Sequence, residues 1–240
     1  MVKGANNYYN KVAEIYDLMY TKETGYDHKA QVKWVDDFRK KLGLPKDILD
    51  VACGTGIHLM YFKKLGYKVK GIDASQEMLK IAKKRLKNVP LKKDFFENFI
   101  LEKEVPIITS YFNAISYNTN VKKLKSTFKS IYKNLSKDGI FVFDLFCNEK
   151  PKEVFMVKKF ESGKFKMSRT FIGKPTSKGF KSTMYYVISN GKSSKIISET
   201  SFRGAFSEKQ IMHALKSTGF KVIYNGGGYA PEYNVFVAQK

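Results

Sequence analysis

The chain has 240 residues, an ordinary length for one α/β domain and sufficient for a sizeable hydrophobic core. Its 44 basic residues outnumber the 22 acidic ones to give a formal charge of +22, and no run approaches the roughly 18 to 20 apolar residues of a membrane span. Two cysteines and three scattered histidines provide neither a disulfide framework nor a metal cluster. We therefore expect a soluble cytoplasmic protein that holds no metal.

The charge of +22 raises nucleic acid as a partner, because a basic excess attracts phosphate backbones. Forty of the 44 basic residues are lysine, however, whereas readout of base edges and two-point phosphate recognition depend on arginine. The lysines are spread over nearly every predicted helix and turn. Nucleic acid is therefore a less favoured partner than an anionic small molecule.

Residues 8–40 carry apolar side chains at helical spacing, interrupted by the stretch 21–26. This pattern predicts two helices joined by a short loop, which form a helical cap over residues 1–40. The cap is rich in tyrosine, whose ring can stack on a ligand and whose hydroxyl can form hydrogen bonds. Some of these tyrosines must instead pack the cap onto the core, and Tyr16 is a candidate for that role.

A strand predicted over residues 46–52 runs into a turn that contains Gly54 and Gly56. Glycine lets the main chain approach a ligand closely and adopt a positive φ. The helix predicted from Ile57 to Leu65 presents its first N–H groups at this turn. The arrangement is typical of a site for a nucleoside-like cofactor, although an ordinary strand-to-helix turn has the same glycines.

A second predicted strand, Val69 to Ile72, ends at Asp73, about twenty residues after the glycine turn. An ionised carboxylate at this position can accept hydrogen bonds from both hydroxyls of a ribose. An acid at the start of a helix is the alternative interpretation. The spacing between the glycines and the acid favours the cofactor site.

Strands and helices alternate over residues 46–147, which predicts right-handed βαβ units and a parallel sheet. Ser75 is expected to cap the next helix. A short third strand, Leu91 to Lys93, ends at Asp94 and Phe95, which either bind an adenine edge or serve as a helix cap and a core side chain. The remaining elements predicted here are a strand over 105–112, a helix over 119–135 and a strand over 140–146.

From residue 155 the pattern changes to β segments divided by glycines. The predicted strands cover 160–167, 169–172, 180–188 and 195–206. They indicate an antiparallel insertion over 155–206 on the substrate side, whose exposed strands are candidates for a homodimer contact. In residues 207–240 a capping box of Ser207 and Gln210 begins a final helix, and strands follow over 220–224 and 233–238.

These elements predict a single α/β domain. Its centre is a Rossmann-like, seven-stranded, mostly parallel sheet with helices on both faces and an antiparallel last strand. The N-terminal helical cap and the antiparallel β insertion after the fifth strand complete the fold. The cofactor-binding half spans residues 46–147.

The chain contains, in this order, the segments ILDVACGTGIHLMYF, GIDASQEMLKIAKKRL, LKKDFF and LSKDGIFVFDLF. Their order and spacing resemble the motifs of the class I S-adenosylmethionine-dependent methyltransferases, over nearly the whole chain. A narrower similarity is to N,N-dimethyltransferases that act on nucleotide-linked amino sugars and, more loosely, to glycine and sarcosine N-methyltransferases. It is carried by YDLMY, by DVACGTGIHL and by SETSFRGAFSEKQIMHALKSTGFKVIYNGGG.

The resemblance implies S-adenosyl-L-methionine as the cofactor and S-adenosyl-L-homocysteine as the product. It implies that the glycine turn lies against the methionine moiety, that Asp73 binds the ribose and that Asp94 lies at the adenine. The implied cofactor residues are Asp50, Ala52, Gly54, Thr55, Gly56, Asp73, Ala74, Met78, Asp94, Phe95, Thr109 and Tyr111.

For the acceptor, the resemblance implies a small-molecule amine and a catalytic Tyr20 that orients it, with Tyr26 as a second candidate. We further predict Tyr16, Phe146, Arg169 and Arg203 as substrate residues, with Arg169 or Arg203 at an anionic part of the acceptor. Because the sulfonium already activates the methyl group, in-line alignment by one tyrosine hydroxyl is sufficient for an amine that arrives neutral.

The tail departs from the amino-sugar enzymes, because residues 226–232 lack the arginine that can hold a nucleotide diphosphate in that family. The tail therefore does not support a nucleotide-linked sugar as the acceptor. Two other classes of function stay open. One is an RNA methyltransferase that uses the lysine-rich surface, and the other is a nucleotide-binding protein without activity.

Overall fold

The computed structural model describes residues 12–13, 16–17, 27–147, 151–163, 165–177, 179–229 and 233–240. Over these residues the strands are β1 (Asp47–Val51), β2 (Lys68–Asp73), β3 (Leu91–Lys93), β4 (Val105–Ser110), β5 (Leu135–Leu145), β6 (Val154–Ser162), β7 (Phe165–Thr176), β8 (Gly179–Ser189), β9 (Ser194–Arg203), β10 (Lys221–Gly226) and β11 (Asn234–Gln239). The helices are α1 (His28–Lys41), α2 (Ile57–Lys64), α3 (Gln76–Arg85), α4 (Val121–Asn134) and α5 (Glu208–Ser217), with a 3₁₀ turn at Ala114–Tyr117. None of these helices is long and apolar enough to cross a bilayer.

Seven strands form the main sheet, in the order β10-β11-β5-β4-β1-β2-β3. Strand β1 pairs in parallel with both β2 and β4, whereas β11 runs antiparallel to β5 and β10. This confirms the predicted mostly parallel sheet with an antiparallel last strand. The strand order reverses between β1 and β4, and ligands of such sheets bind at the carboxyl ends of the strands beside the reversal.

Helices cover both faces of this sheet. On one face, α4 and α5 bury Phe128 and Leu215 against it. On the other face, α1, α2 and α3 bury Val35, Phe62 and Leu79. Each such side chain contributes about 1.5–3 kcal/mol through burial. The two layers together fix the carboxyl edge of the sheet, where the site lies.

The helix starts follow the signals in the sequence. Ser75 caps α3 by accepting the N–H of Met78, and Ser207 forms the predicted capping box with Gln210 on α5. Helix α2 is different, since its N-cap is Gly56 and no side chain caps it. The first N–H groups of α2 are therefore free of a side-chain cap at the glycine turn.

Strands β6 to β9 form a separate four-stranded antiparallel sheet, which confirms the predicted insertion. One face of this sheet buries Met167, Met184 and Tyr186 in a cluster that also holds Val12 and Met78. Val12 belongs to the helical N-terminal segment and Met78 to α3. The insertion therefore packs against both the N-terminal segment and the cofactor-binding half.

The strand bounds predicted for the insertion were wrong in two places. The predicted strand over 160–167 contains the turn between β6 and β7. Gly173, expected to divide two strands, lies inside β7 opposite Val154 and Ser182. A Cβ on Gly173 would come within 2.3 Å of the Phe180 ring, so this glycine makes room for an aromatic side chain instead of a turn.

The predicted bounds of the single domain stay a prediction.

Candidate functional site

The turn after β1 contains three residues in the left-handed conformation. Ala52, Gly54 and Gly56 have φ values of 61°, 55° and 74°. A Cβ on Gly54 would meet no atom within 4 Å, whereas a Cβ on Gly56 would lie 2.7 Å from Leu86 and 3.2 Å from the Cβ of Ala82. Gly54 therefore leaves open space at the turn. Gly56 instead lets α3 pack closely, which corrects the prediction that both glycines make room for a ligand.

Asp73, at the end of β2, is held in place by two backbone donors. The N–H of Gly54 donates to Oδ2 at 2.8 Å, and the N–H of Ser75 donates to Oδ1 at 2.7 Å. The backbone N–H of Ala74 also acts on this carboxylate, and a carboxylate has about four acceptor positions in all, so a position remains for a ligand. Burial raises the pKa of Asp73 to about 6 against the lowering effect of these N–H groups, so the carboxylate is mainly ionised at pH 7. The geometry suits a ligand with two adjacent hydroxyl groups.

A cavity opens over this turn and brings many of the predicted residues together. The predicted residues that line it are Tyr16, Asp50, Ala52, Gly54, Thr55, Asp73, Ala74, Met78, Asp94, Phe95 and Tyr111. Residues that were not predicted for the site also line it, and they are Cys53, Ile57, His58, Ile72, Phe96, Glu97, Phe112, Ala114 and Tyr117. The cavity thus has a half around Asp73 and Asp94 and an aromatic half around Tyr111, Phe112 and Tyr117.

Asp94, which follows β3, keeps local contacts on both of its oxygens. Oδ1 accepts the N–H of Phe95 at 2.9 Å, and Oδ2 forms an ion pair with Lys92 at 2.8 Å. These contacts fix the orientation of the carboxylate at the cavity wall. No described helix begins directly after Asp94, so the helix cap of the alternative interpretation is not present, whereas Asp94 does line the cavity.

Two further carboxylates are buried at the ends of β1 and β5. Asp50 accepts the hydroxyl of Thr109 at 2.9 Å, and burial raises its pKa to about 8. Asp144 accepts the backbone N–H of Phe112 at 3.0 Å and that of Asn113, and burial raises its pKa to about 7. Thr109 does not line the cavity, and its observed contact is the hydrogen bond to Asp50.

The backbone that leaves β4 is in an uncommon conformation at the aromatic half. Phe112 and Asn113 have φ values of 59° and 58°. These values lie in the left-handed region, which residues with a Cβ disfavour. The two hydrogen bonds to Asp144 hold both residues there. Strained backbone at a cavity wall is typical of a functional site, because the surrounding contacts must offset its cost.

Aromatic rings form the wall above this strained segment. The rings of His58 and Tyr111 are stacked, with centroids 3.9 Å apart and planes 9° apart, and Phe112 lies 5.4 Å from His58. Burial raises the pKa of Tyr111 well above its ordinary value, so its phenol stays neutral. The buried Tyr111 hydroxyl has no hydrogen-bond partner among the residues described.

The N-terminal segment is fastened directly onto the glycine turn. The hydroxyl of Thr55 donates to Asp17 at 2.5 Å, and Arg85 of α3 forms an ion pair with the same carboxylate. Arg85 also donates to the carbonyl of Thr55 at 2.6 Å. Asp17 is the neighbour of Tyr16, so these contacts position Tyr16 at the cavity.

The last strand of the insertion reaches the aromatic half through Arg203. Its guanidinium lies over the Tyr117 ring at 4.7 Å and donates to the Tyr117 hydroxyl at 3.0 Å. Arg203 therefore supports the cavity wall through Tyr117. Arg169 lies on β7 opposite Tyr186 and does not line the cavity.

Two other predicted site residues that the structure describes, Phe146 and Gly56, are not among the residues that line the cavity. Phe146 is 48% exposed, and its N–H donates to the side chain of Asn113; its role at the substrate stays a prediction. Gly56 faces α3. Tyr20 and Tyr26 lie outside the described residues.

Several residues at the site were missed because only the tertiary fold brings them there. Asp17 and Arg85 meet across 68 positions of the chain. Two sequence signals were available, however. Asp144 is an acid within the apolar run 140–146, and His58 follows the glycine turn by two residues. Both positions are unfavourable for a polar side chain that has no partner.

A comparison with family models identifies the region that contains this turn. Residues 48–139 match the model described as a methyltransferase domain. The chain carries a methyltransferase domain. The matched residues extend from β1 through β4 and α4, so they include the glycine turn, Asp73, Asp94 and Tyr111. The predicted resemblance to class I methyltransferases is confirmed.

Curated relatives of this methyltransferase domain differ in their acceptors. The dTDP-3-amino-3,4,6-trideoxy-alpha-D-glucopyranose N,N-dimethyltransferase of Streptomyces venezuelae is 31% identical over 133 residues, which cover 55% of this chain and 56% of that protein. The chain thus matches little more than half the length of that relative. A ubiquinone/menaquinone biosynthesis C-methyltransferase of Campylobacter jejuni is 27% identical over 246 residues, 97% of this chain and 95% of that protein.

Solved structures share the complete fold around the methyltransferase domain. An S-adenosylmethionine-bound amino pentose methyltransferase from Micromonospora echinaspora, involved in calicheamicin biosynthesis, superposes with a TM-score of 0.83. The match covers 94% of this chain and 96% of that one at 19% identity. At this level of identity the likeness confirms the fold and leaves the acceptor to be argued from the site.

Proposed function

We propose that this protein transfers the methyl group of S-adenosyl-L-methionine to an amine of a small molecule and releases S-adenosyl-L-homocysteine. The observation that carries the proposal is the fixed, ionised Asp73 carboxylate beside the glycine turn and the uncapped start of α2. A methyltransferase domain match over residues 48–139 supports the same reaction.

The cavity fits this cofactor in three respects. Asp73 keeps an acceptor position for the ribose hydroxyls. The open space at Gly54 and the uncapped N–H groups of α2 suit a carboxylate such as that of the methionine moiety. Met78 and Phe95 provide apolar surface beside Asp94 for an adenine ring. The cofactor supplies an activated methyl group, so the protein has to align the acceptor and exclude water.

The aromatic half of the cavity suits an amine acceptor. Tyr16, Tyr111, Phe112 and Tyr117 line it, and aromatic faces attract cationic nitrogen at a gain of about 0.5–2 kcal/mol. The N,N-dimethyltransferase name of the Streptomyces venezuelae relative supports nitrogen as the methylated atom. Arg203 lies behind Tyr117 and contacts its ring and hydroxyl, and we propose that its charge attracts an anionic part of the acceptor through this wall.

Tyr20 remains the proposed residue that orients the acceptor nitrogen, with Tyr26 as the second candidate. Both lie outside the described residues, and the support comes from their neighbours. Tyr16 and Asp17, four and three positions before Tyr20, lie at the cavity through the contacts of Asp17 with Thr55 and Arg85.

We also propose that the outer face of the insertion mediates a homodimer. Phe155, Val157, Val187 and Ile196 share this face and are 71%, 48%, 44% and 74% exposed. A large apolar face on a chain of charge +22 is a typical protein contact surface. Lys159, Lys174 and Lys181 lie on the same face, so the proposed contact with a second copy is the apolar patch between them. An Ile196→Lys variant that stays dimeric in light scattering contradicts this proposal.

Tritium transfer from methyl-labelled S-adenosyl-L-methionine tests the reaction. The separate acceptors are a dTDP-linked amino sugar, glycine with sarcosine, total RNA, and a demethylated quinol. We expect label in an amine pool. Label in RNA alone favours the alternative RNA methyltransferase, and label in the quinol alone favours carbon methylation. A protein that binds no S-adenosyl-L-homocysteine contradicts the proposed reaction altogether.

A further inference from the structure

Two of the three histidines of the chain contact each other beside the aromatic half of the cavity, which His58 lines. The Nε2 atom of His58 lies 2.8 Å from Oε1 of Gln31. The Nδ1 atom of His28 lies 3.2 Å from the same oxygen and 3.3 Å from Nε2 of His58. All three side chains are at most 4% exposed. The contacts join α1 to the start of α2 directly behind the glycine turn.

The hydrogen bonds limit where the protons of this cluster lie. The amide oxygen of Gln31 only accepts, so at least one of the two ring nitrogens that face it donates. Each neutral imidazole ring has one nitrogen that carries a proton and one that carries a lone pair. Nε2 of His28 is buried without a partner among the described residues, and so is the hydroxyl of Tyr111 beside His58. Buried polar atoms nearly always have a partner. Of these two atoms, the Tyr111 hydroxyl belongs to a residue that lines the cavity, where a ligand or its bound water can reach it.

Both histidines are neutral at pH 7. Burial lowers the pKa of His28 and, more strongly, that of His58. The charged groups that act on His28 are Asp17 and Asp27, which raise its pKa, and Arg85, which lowers it. His58 faces His28, Gln31 and the neutral ring of Tyr111. A neutral imidazole can accept a proton, whereas an imidazolium cannot.

An amine acceptor normally arrives at such a site with a proton on its nitrogen. Alkyl amino groups titrate near 10 in water, so most molecules carry an ammonium group at pH 7. An ammonium has no lone pair with which to form a bond to the methyl carbon. It must therefore lose a proton in the aromatic half, and His58 lines that half next to Tyr111 and Phe112.

We infer that His58, joined to His28 through Gln31, takes a proton from an ammonium acceptor before methyl transfer. The inference rests on the proposed function. The N–H bond breaks, its electron pair stays on nitrogen and the proton goes to the imidazole. The nitrogen then bonds to the methyl carbon while the carbon–sulfur bond breaks and its electrons go to sulfur. The imidazolium finally releases its proton to solvent. The substrate class is therefore an amine that enters the site charged.

Sinefungin tests this inference without an acceptor, because it carries an amino group where the cofactor carries the S-methyl group. Its affinity and that of S-adenosyl-L-homocysteine are measured by calorimetry between pH 5.5 and 8.5. The variants are His58→Phe, which keeps a ring to stack on Tyr111, and the matched control His213→Phe on the exposed side of α5. The affinity ratio of the two ligands reports the contact with the amino group.

We expect the wild type to favour sinefungin over S-adenosyl-L-homocysteine at least tenfold at pH 7.5. The ratio should fall only toward the acid end of the pH range, because burial lowers the pKa of both histidines. His58→Phe should reduce the ratio at least fivefold, with the affinity for S-adenosyl-L-homocysteine within twofold, and His213→Phe should leave both unchanged. An unchanged ratio in His58→Phe overturns the inference.

Two outcomes are kept separate by the second ligand. If the wild type binds no S-adenosyl-L-homocysteine, the proposed function has failed. If only His58→Phe loses that binding, the ratio is measured in His28→Phe, whose side chain does not line the cavity. If the affinity ratio falls at least twofold in His28→Phe, the result supports the inference. If the ratio is unchanged, or if His28→Phe also loses S-adenosyl-L-homocysteine binding, the histidines have a structural role and the inference is overturned.

Discussion

The two halves of the cavity are built in different ways. The half around Asp73 is made by backbone geometry and by a carboxylate that two N–H groups hold within 2.8 Å. The aromatic half is lined by side chains from α2 and the β4 exit, and α1 and the last strand of the insertion support these side chains from behind. A short motif therefore determines which cofactor binds, whereas several distant segments determine the acceptor. The predictions below separate these two halves.

Asp73→Asn should weaken cofactor binding at the half around Asp73, and we expect this to be the largest effect. The amide nitrogen would face the N–H of Gly54 or Ser75, and the ribose would lose a charged acceptor. Hydrogen bonds to charged groups contribute about 1.5–3 kcal/mol, so we expect the affinity for S-adenosyl-L-homocysteine to fall about tenfold to a hundredfold in calorimetry. Asp47→Asn, at the start of β1 in an ion pair with Lys70, is the control. Equal affinity in the Asp73 and Asp47 variants contradicts the ribose role.

Alanine at the two glycines of the turn should have different main effects, on stability at Gly56 and on cofactor affinity at Gly54. Gly56→Ala adds a Cβ 2.7 Å from Leu86 at a φ of 74°, so we expect a loss of about 1–3 kcal/mol in the free energy of unfolding. Gly54→Ala meets open space and should cost about 1–2 kcal/mol of backbone strain, while its methyl group reduces cofactor affinity. Urea unfolding and calorimetry measure both. A larger loss of stability in Gly54→Ala than in Gly56→Ala would be the contrary result.

The buried Asp50 should make the stability of the ligand-free protein depend on pH. Its folded pKa of about 8 exceeds the ordinary value of 3.8, so its stabilising contribution is complete below pH 4 and is lost as the pH rises toward 8. A group that is protonated only in the folded state gives a slope of about 1.4 kcal/mol per pH unit. Asp50→Asn removes this slope. In urea unfolding from pH 5 to 8, the variant should gain stability relative to the wild type as the pH rises. If the free energy of unfolding changes with pH equally in both proteins, the raised pKa of Asp50 is refuted.

Tyr20→Phe should affect only the acceptor half and give the smallest effect. The loss of one neutral hydrogen bond, about 0.5–1.5 kcal/mol, lowers kcat/KM up to about tenfold on the acceptor found by tritium transfer. Cofactor affinity should stay unchanged, because the cofactor half is held by Asp73 and the glycine turn. Tyr8→Phe, also in the N-terminal segment, is the matched control. Full kcat/KM in Tyr20→Phe withdraws the proposed role and leaves Tyr26 to be tested.

Local sequence patterns predicted the half of the cavity around Asp73 better than the aromatic half, for a physical reason. Asp73 and Gly54 lie 19 positions apart and meet because neighbouring parallel strands end at the same edge, which the sequence spacing already indicates. The contacts of Asp17 with Arg85 and of Asp144 with Phe112 instead depend on packing between distant elements. Gly56 shows a further limit, since a glycine required by a helix neighbour has the same sequence signature as one required by a ligand.

A crystal structure of the protein with S-adenosyl-L-homocysteine tests the central claim most directly. We predict ligand density over the glycine turn, with both ribose hydroxyls within about 3 Å of the Asp73 carboxylate and the sulfur directed toward His58 and Tyr111. Density at another place, or a ribose that does not contact Asp73, would contradict the assignment of this cavity as the methyl-transfer site.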